Sequence, residues 1–151
     1  KGEKRKIIPS PAVSTYDKKP SMSANKTTKY VLRNMKKYDL IVMNYANGDM
    51  VGHSGDINAA IKAVETVDRE IAKIVEKGLK QDKVIIITAD HGNCEEMTGS
   101  HETSHTLNPV PFIVIGNGKL KIKKGSLANI APTILKIMGL KKSKEMTKSL
   151  V

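Results

Sequence analysis

The stretch Val84-Ile-Ile-Ile-Thr-Ala-Asp-His-Gly-Asn93 joins a continuous apolar run to a loop that carries a carboxylate and an imidazole. The β-branched residues of its first half favour a buried strand. In open α/β sheets the carboxyl ends of the strands line the ligand crevice. The stretch therefore predicts a strand of a layered α/β fold, with Asp90 and His91 at the edge where ligands bind.

Strand and helix patterns alternate along the rest of the chain. Three further apolar runs are candidate strands, at residues 6–10, 40–43 and 110–115. Apolar residues at helical spacing predict helices over 23 to about 37, 56 to about 78, and 127–138. This alternation predicts a three-layer α/β domain, in which helices cover both faces of a mainly parallel sheet.

The ends and faces of these helices follow from a few residues. Ser23 and Asp56 are the expected N-caps, and Gly78 and Gly139 the expected C-terminal glycines. The long helix is expected to bury one apolar stripe, made of Ile57, Ala60, Ile61, Val64, Val67, Ile71, Ile74 and Val75.

Length and composition narrow the class of protein. The 151 residues suit one compact domain, and no apolar run approaches the ~20 residues that span a bilayer, so we expect no membrane contact. The single cysteine, Cys94, excludes an internal disulfide and fits a reducing compartment. Because the chain starts at Lys1, without Met or an apolar leader, we expect a piece of a longer protein.

The formal net charge of +11 suggests an anionic partner such as nucleic acid, acidic lipid or a phosphorylated metabolite. Nucleic-acid binding proteins favour arginine forks and aromatic stacking platforms. This chain has no Trp and one Phe, and its basic residues are nearly all Lys. We interpret most lysines as solvated surface and expect no nucleic acid as partner; a basic nucleic-acid-binding module is the alternative from another functional class.

Three short segments concentrate Asp and His, at residues 49–55, 88–93 and 101–106. Each lies in a loop beside an apolar run, and the first two follow predicted strands, so they are expected to meet in space. Taken singly, an Asp-x-x-x-His or an Asp-His-Gly motif also occurs in ordinary loops. Their joint occurrence in three segments favours a metal site.

Residue types and spacing suggest how the ligands divide. Asp49 and His53 are four residues apart, so one helical turn or a tight loop can aim both at one ion, and His105 can supply a third ligand. Such a set suits Mn²⁺, Zn²⁺ or Fe²⁺ and leaves positions open for substrate. Asp90 and His91 can serve a second ion, as two-metal phosphoryl-transfer sites require.

Three other residues near these motifs receive ordinary interpretations. Cys94 is interpreted as a buried thiol rather than a ligand. His101 is interpreted as a loop residue, with orientation of a ligand as its alternative. Ser54 is rejected as a nucleophile because it lies in the loop of a supposed ligand and has no base of its own.

The motif-bearing runs resemble the cofactor-independent phosphoglycerate mutases of the alkaline phosphatase superfamily. The runs are 44–55, 88–93 and 101–111. The resemblance extends to residues 9–24, 127–133 and 144–150, and so covers nearly the whole chain. One departure is Cys94, which stands where the family commonly has Ala.

The resemblance implies an alkaline phosphatase-like fold, a cytoplasmic monomer and two bound Mn²⁺, or Zn²⁺ or another divalent ion. It implies that Asp49, His53 and His105 hold one ion, and that Asp90 and His91 hold the other together with an Asp and a nucleophilic Ser. No residue here matches that Ser. Residues 1–151 are then the C-terminal portion of the metal-binding domain, without the nucleophile segment and the inserted substrate domain.

The family interconverts 3-phosphoglycerate and 2-phosphoglycerate through a phosphoserine, in glycolysis and gluconeogenesis. The resemblance therefore implies that the full enzyme is an isomerase and that the isolated chain is inactive. A phosphopentomutase or a metal-dependent phosphatase of the same superfamily is the alternative, because these enzymes share the Asp-His pattern. The run 108–111 and the segment 16–24 favour the mutases.

Overall fold

The computed structural model describes residues 2–98, 103–116, 118 and 120–151, which fall into two compact units, Lys1–Gly116 and Asn117–Val151. The first unit contains α1 (Ala24–Asn34), α2 (Asn47–Gly52), α3 (Ile57–Leu79), β1 (Ile85–Thr88) and β2 (Phe112–Ile115). The second contains α4 (Ile130–Ile137). Short 3-10 turns occur at Tyr16–Lys18, Met35–Lys37 and Leu127–Asn129. All five predicted ligands belong to the first unit.

Helix α1 and the 3-10 turn after it occupy the predicted range and bury Val31 and Met35. The expected cap is different, because the Ser23 hydroxyl donates to the Pro9 carbonyl oxygen at 2.6 Å and makes no cap hydrogen bond. Helix α3 does begin as predicted, since an Asp56 carboxylate oxygen accepts from the Ala59 N–H at 3.0 Å.

The buried face of α3 matches the predicted stripe in part, because Ala60 and Ile74 are buried as expected. Ile57, Ile61 and Val64 are about half exposed, with relative exposures of 54%, 51% and 50%. Ala59 and Ala63 are buried instead and share one apolar cluster with Val51 of α2 and Met22. Small side chains let another helix approach closely, so size as well as hydropathy decides which face packs.

The end of α3 also differs from the prediction. Gly78 lies inside the helix, which continues to Leu79, rather than one residue beyond its end. A Cβ on Gly78 would lie 2.9 Å from Cδ1 of Ile85, so the glycine allows β1 to pack against α3. The Lys83 N–H then donates to the Gly78 carbonyl oxygen at 2.9 Å and closes the turn into β1.

Strands β1 and β2 confirm two of the predicted strands. They pair antiparallel, with Ile85 opposite Ile115 and Thr88 opposite Phe112. The α/β class is confirmed, although the strand pairing within the described residues is antiparallel and not parallel. The isoleucines of β1 are half-buried rather than fully buried.

The predicted strands at 6–10 and 40–43 form no ladder in the described part of the chain. Residues 40–43 still alternate between buried and exposed side chains, as a strand does. Ile41 and Met43 pack against the apolar cluster of Val31, Met35 and Ile74, while Val42 is 82% exposed. Without a hydrogen-bonded neighbour, these residues do not form a sheet strand. Among the described helices, none has the length and apolar character that a bilayer crossing requires.

In the second unit, α4 ends as predicted at Gly139, whose φ of +70° lies in the left-handed region that glycine favours. The Gly139 N–H donates to the Lys136 carbonyl oxygen at 3.1 Å, and the Leu140 N–H to the Leu135 carbonyl oxygen at 2.8 Å. This is the Schellman arrangement of a helix C-terminus. The Leu150 N–H donates to the hydroxyl of buried Thr133 at 2.9 Å and ties the C-terminal segment to α4.

Candidate metal centre

Helix α2 places the first two predicted ligands. Asp49 lies in its first turn and His53 directly after its last residue, so the helical turn brings Nε2 of His53 to 3.1 Å from Oδ1 of Asp49. The helix is anchored by Val51, which is fully buried, and by Asn47, whose side-chain amide donates to the Pro20 carbonyl oxygen at 2.7 Å. The helical turn is thus the geometry that aims this pair.

The loop after β1 packs directly against α2. A Cβ on Gly52 would overlap the side chain of Asn93, so glycine at this position allows the close approach. The Asn93 amide then donates to Oδ1 of Asp49 at 3.2 Å. Asn93 is 6% exposed, so this contact orients the carboxylate from a fixed position.

Three side-chain atoms of the kinds that ligate metals, from two segments of the chain, form a compact group. Nε2 of His105 lies 3.0 Å from Oδ1 of Asp49 and 3.1 Å from Nε2 of His53, and the His53–Asp49 distance is 3.1 Å. All three side chains are partly exposed, between 35% and 49%. The structure thus brings together the three residues predicted to share one ion, across 56 residues of sequence.

A backbone carbonyl sets the tautomer of His53. Its Nδ1 lies 2.7 Å from the Thr103 carbonyl oxygen, which can only accept a hydrogen bond, so Nδ1 carries a proton. In the neutral ring Nε2 therefore has a free lone pair directed at the group. This arrangement is typical of metal-binding histidines, whose second ring nitrogen donates to a carbonyl or a carboxylate.

His91 and Asp90 lie beside this group. Nδ1 of His91 lies 3.2 Å from the Gly92 carbonyl oxygen, and Nε2 lies 3.7 Å from Oδ1 of Asp49 and 3.8 Å from Oδ1 of Asp90. The His91 ring stacks on His105 with centroids 3.6 Å apart. Asp49 and His105 are therefore within reach of both His53 and His91, but His53 is closer to Asp49. The Asp90 side chain is 89% exposed.

The donor set fits a divalent cation. One carboxylate oxygen and two imidazole nitrogens are the donors that Mn²⁺, Fe²⁺ and Zn²⁺ accept. Ligand atoms about 2.1 Å from one ion, at right angles to each other, are about 3.0 Å apart. The observed separations of 3.0–3.1 Å match that spacing. Asp49, His91 and His105 also offer ligand atoms that lie within 4.8 Å of one another, so a second arrangement is open to His91.

Glu95 is a residue of the site region that the sequence analysis missed. Its carboxylate accepts from the Asn93 N–H at 2.6 Å, from the Thr106 hydroxyl, and from the Asn108 amide at 3.1 Å. The hydrogen bond from Thr106 is the main cause that lowers the pKa of Glu95 to about 2. One glutamate in a loop carries no distinctive sequence pattern, so these partners are visible only after folding.

Cys94 and Ser54 donate hydrogen bonds to backbone carbonyl oxygens of α2. The Cys94 thiol donates to the Gly48 carbonyl oxygen at 2.9 Å, and burial raises its pKa, which favours the protonated thiol. The Ser54 hydroxyl donates to the Val51 carbonyl oxygen at 2.6 Å and serves the turn after α2. His101 lies outside the described residues.

Residues 1–142 match the profile of the Metalloenzyme superfamily. Because the match covers most of the sequence, the chain belongs to this superfamily. The fold also matches the structure of Leishmania mexicana phosphoglycerate mutase determined at low cobalt concentration. That likeness has a TM-score of 0.89 and 32% sequence identity, and covers 96% of this chain and 31% of the other.

Within the superfamily the chain is similar to 2,3-bisphosphoglycerate-independent phosphoglycerate mutases. It is 53% identical to the protein of Acetivibrio thermocellus and 52% identical to that of Desulforudis audaxviator, over 97% of this chain in each case. It is 53% identical to phosphoglycerate mutase 1 of Methanosarcina acetivorans, again over 97% of this chain. The chain spans about 30% of the length of these curated relatives.

Proposed function

We propose that the chain is the C-terminal, metal-binding portion of a cofactor-independent phosphoglycerate mutase, which interconverts 3-phosphoglycerate and 2-phosphoglycerate through a phosphoserine in glycolysis and gluconeogenesis. The observation that carries the proposal is the group formed by Asp49, His53 and His105, with separations of 3.0–3.1 Å. The similarity to mutases over nearly the whole chain supports the substrate class.

The residues of the site take different parts in this proposal. Asp49, His53 and His105 hold the first ion, and Asp90 and His91 provide two ligands of the second. The ions are Mn²⁺ in this proposal, with Zn²⁺ or another divalent ion as alternatives, and they supply positive charge that stabilises a transferring phosphoryl group.

Neighbouring groups prepare the ligands for that role. The Asn93 amide orients the Asp49 carboxylate, and the Thr103 carbonyl holds the proton of His53 on Nδ1. Both contacts fix lone pairs in position before an ion binds, which lowers the cost of ordering the site. The partly exposed side chains leave one side of the group open to a substrate.

The proposal includes the setting of the full protein. The substrate is an anionic phosphoglycerate, which suits the net charge of +11, and the full enzyme is a cytoplasmic monomer without nucleic acid or membrane as partner. The nucleophilic Ser is supplied by a segment other than those of this chain. The isolated chain is therefore inactive, although it contributes the metal geometry.

The second candidate function is that of a phosphopentomutase or a phosphatase of the same superfamily. The profile match to the superfamily supports this candidate and the glycerate mutase equally, since an Asp-His metal group is not specific for one phosphorylated substrate. The similarity to named mutases at 50% identity or more favours the glycerate mutase.

Activity measurements on two proteins test the proposal. The 151-residue chain with Mn²⁺ is expected to show no turnover of 3-phosphoglycerate above a blank without protein, because it has no matching nucleophile. A longer protein that contains the chain is expected to form 2-phosphoglycerate in an enolase-coupled assay. Turnover by the chain alone would contradict the assignment of the nucleophile. Turnover of pentose phosphates by the longer protein, without turnover of phosphoglycerate, would favour the second candidate.

A further inference from the structure

Glu95 joins two loops that each carry a predicted metal ligand. Its own loop begins at Asp90 and His91, and the partners of its carboxylate beyond that loop are Thr106 and Asn108, which are 11 and 13 residues away along the chain. Thr106 directly follows His105. The carboxylate therefore fixes the backbone next to one ligand relative to the loop of another.

A backbone contact and a glycine complete this connection. The Thr106 N–H donates to the Gly92 carbonyl oxygen at 2.9 Å, in an isolated antiparallel bridge between these two residues. A Cβ on Gly92 would overlap both the Glu95 carboxylate and the Thr106 hydroxyl. The absence of a side chain at Gly92 is thus what leaves room for the carboxylate to reach Thr106.

We propose that Glu95 is a positioning residue for metal binding, which holds His105 against Asp49 by fixing Thr106 and Asn108 to the loop of His91. This inference rests on the proposed metal site. No described contact joins Glu95 to a ligand atom, so it acts through Thr106 and is not itself a ligand. Its carboxylate oxygens are already occupied by three donors from the protein.

The alternative is that Glu95 only stabilises the loops. The effect on His105 distinguishes positioning from loop stabilisation, because a positioning role for Glu95 would change metal binding through His105. Nε2 of His105 lies 3.0 Å from Asp49, and its neighbour Thr106 donates directly to Glu95. The His53–Asp49 pair is formed within one helical turn and is linked to Glu95 indirectly, through Asn93, which donates its N–H to Glu95 and its side-chain amide to Asp49. Loss of the Glu95 carboxylate should therefore affect the position of His105 more than that of the His53–Asp49 pair.

The test measures Mn²⁺ and Zn²⁺ affinity of the 151-residue chain by competition with a chelating dye. Glu95→Gln is expected to weaken binding about 10- to 100-fold, the range typical of residues that orient ligands. Glu96→Gln is the matched control, because it makes the same change at the next residue. Among the described residues, the Glu96 carboxylate accepts a single side-chain hydrogen bond, from Asn108 at 3.0 Å. The control is expected to stay within about twofold of the parent chain.

A double-mutant cycle with His105→Ala separates positioning from general stability. Glu95→Gln is expected to cause little further loss in the His105→Ala background, because the residue that it positions is gone. An equal loss in both backgrounds, or no loss in the single variant, would overturn the inference. If His105→Ala itself leaves metal affinity unchanged, the proposed metal site is wrong, and that result is distinct from a failure confined to Glu95.

A spectroscopic measurement identifies the affected ligand. In the Glu95→Gln variant the ¹⁵N resonances of the His53 ring should shift on addition of Zn²⁺, while those of His105 should shift only at higher Zn²⁺. Equal response of both rings would contradict a role through His105. If Glu95→Gln fails to fold, Thr106→Val removes the same hydrogen bond with little change in shape, and Thr106→Ser restores the hydroxyl. Loss of affinity in Thr106→Val without recovery in Thr106→Ser would also overturn the inference.

Discussion

The proposed ligands at helix α2 and those in the loops reach the candidate metal centre in different ways. Asp49 and His53 are brought together by one helical turn, and contacts from Asn93 and the Thr103 carbonyl then orient the two side chains. His105 reaches Asp49 across 56 residues and depends on contacts between loops. The comparison teaches that spacing can create half of a metal site, whereas tertiary hydrogen bonds must close it.

The largest expected effect is at the residue that both halves share. Oδ1 of Asp49 contacts His53 and His105 and lies 3.7 Å from Nε2 of His91. Asp49→Ala should therefore weaken Mn²⁺ binding by more than the 10- to 100-fold that is typical of residues outside the ligand set. Isothermal titration calorimetry measures the change, and Asp68→Ala, at an exposed position of α3, is the control for loss of one carboxylate. If Asp49→Ala binds Mn²⁺ as tightly as the parent chain, Asp49 is not a ligand that the two halves of the site share.

The two histidines next to Asp49 should differ in the size of their effect. His53→Ala is expected to weaken binding of the first ion far more than His91→Ala, because Nε2 of His53 lies 3.1 Å and that of His91 3.7 Å from Oδ1 of Asp49. Calorimetric titration of both variants with Zn²⁺ gives the ratio directly. Equal losses would mean that Asp49 and His105 share the ion with His91, and the division into two sites would be wrong.

Acid should remove the contribution that the Glu95 carboxylate makes to the stability of the two loops it joins. The pKa of Glu95 is about 2 in the folded chain, below its ordinary value of 4.5, chiefly because Thr106 donates to the carboxylate. The folded chain thus binds this proton less readily than the unfolded chain, so the stabilising contribution is present above pH 4.5 and is lost as the pH falls toward 2. Thermal unfolding between about pH 5 and about pH 2.5 should show a steeper decline in stability in the parent chain than in Glu95→Gln. If the parent chain and Glu95→Gln lose stability in parallel, the hydrogen bond from Thr106 does not lower the pKa of Glu95.

The smallest expected effect belongs to a local feature outside the ligand set. Asp56 caps α3 by accepting from the Ala59 N–H at 3.0 Å, and loss of such a cap costs about 1 kcal/mol. Asp56→Ala should lower the free energy of unfolding by that amount and leave metal affinity unchanged, whereas Asp56→Asn, which keeps an acceptor, should retain most of the stability. Urea denaturation and dye competition measure the two quantities. A parallel loss of metal affinity would show that the helix-borne pair also depends on the start of α3.

The sequence predicted features that depend on neighbouring residues. Asp56 as an N-cap, Gly139 as a helix terminator and the strands β1 and β2 are confirmed. Each is decided within a few residues, by a side-chain acceptor, by freedom of φ, or by an apolar run. The same kind of information related Asp49 to His53.

The predictions that were wrong concern residues whose contacts are with distant parts of the chain. Ile57 and Ile61 of the predicted α3 stripe are exposed, whereas Ala60 of the same stripe is buried together with Ala59 and Ala63. Ser23 was expected to cap α1, but its hydroxyl donates to Pro9. Neither the buried face of α3 nor the partner of Ser23 can be predicted from helical period or residue type. Both depend on which other part of the chain packs next to these residues.

The sequence by itself determined the α/β class, the three motif-bearing segments and the resemblance to a family of metal-dependent mutases, because these are properties of composition, pattern and spacing. Only the tertiary structure decided that His105 lies 3.0 Å from Asp49, that the Thr103 carbonyl sets the proton of His53, and that Glu95 connects two loops. The physical reason is range: a helical turn is decided by adjacent residues, whereas a hydrogen bond between distant loops exists only once the packing of the whole unit has placed donor and acceptor together.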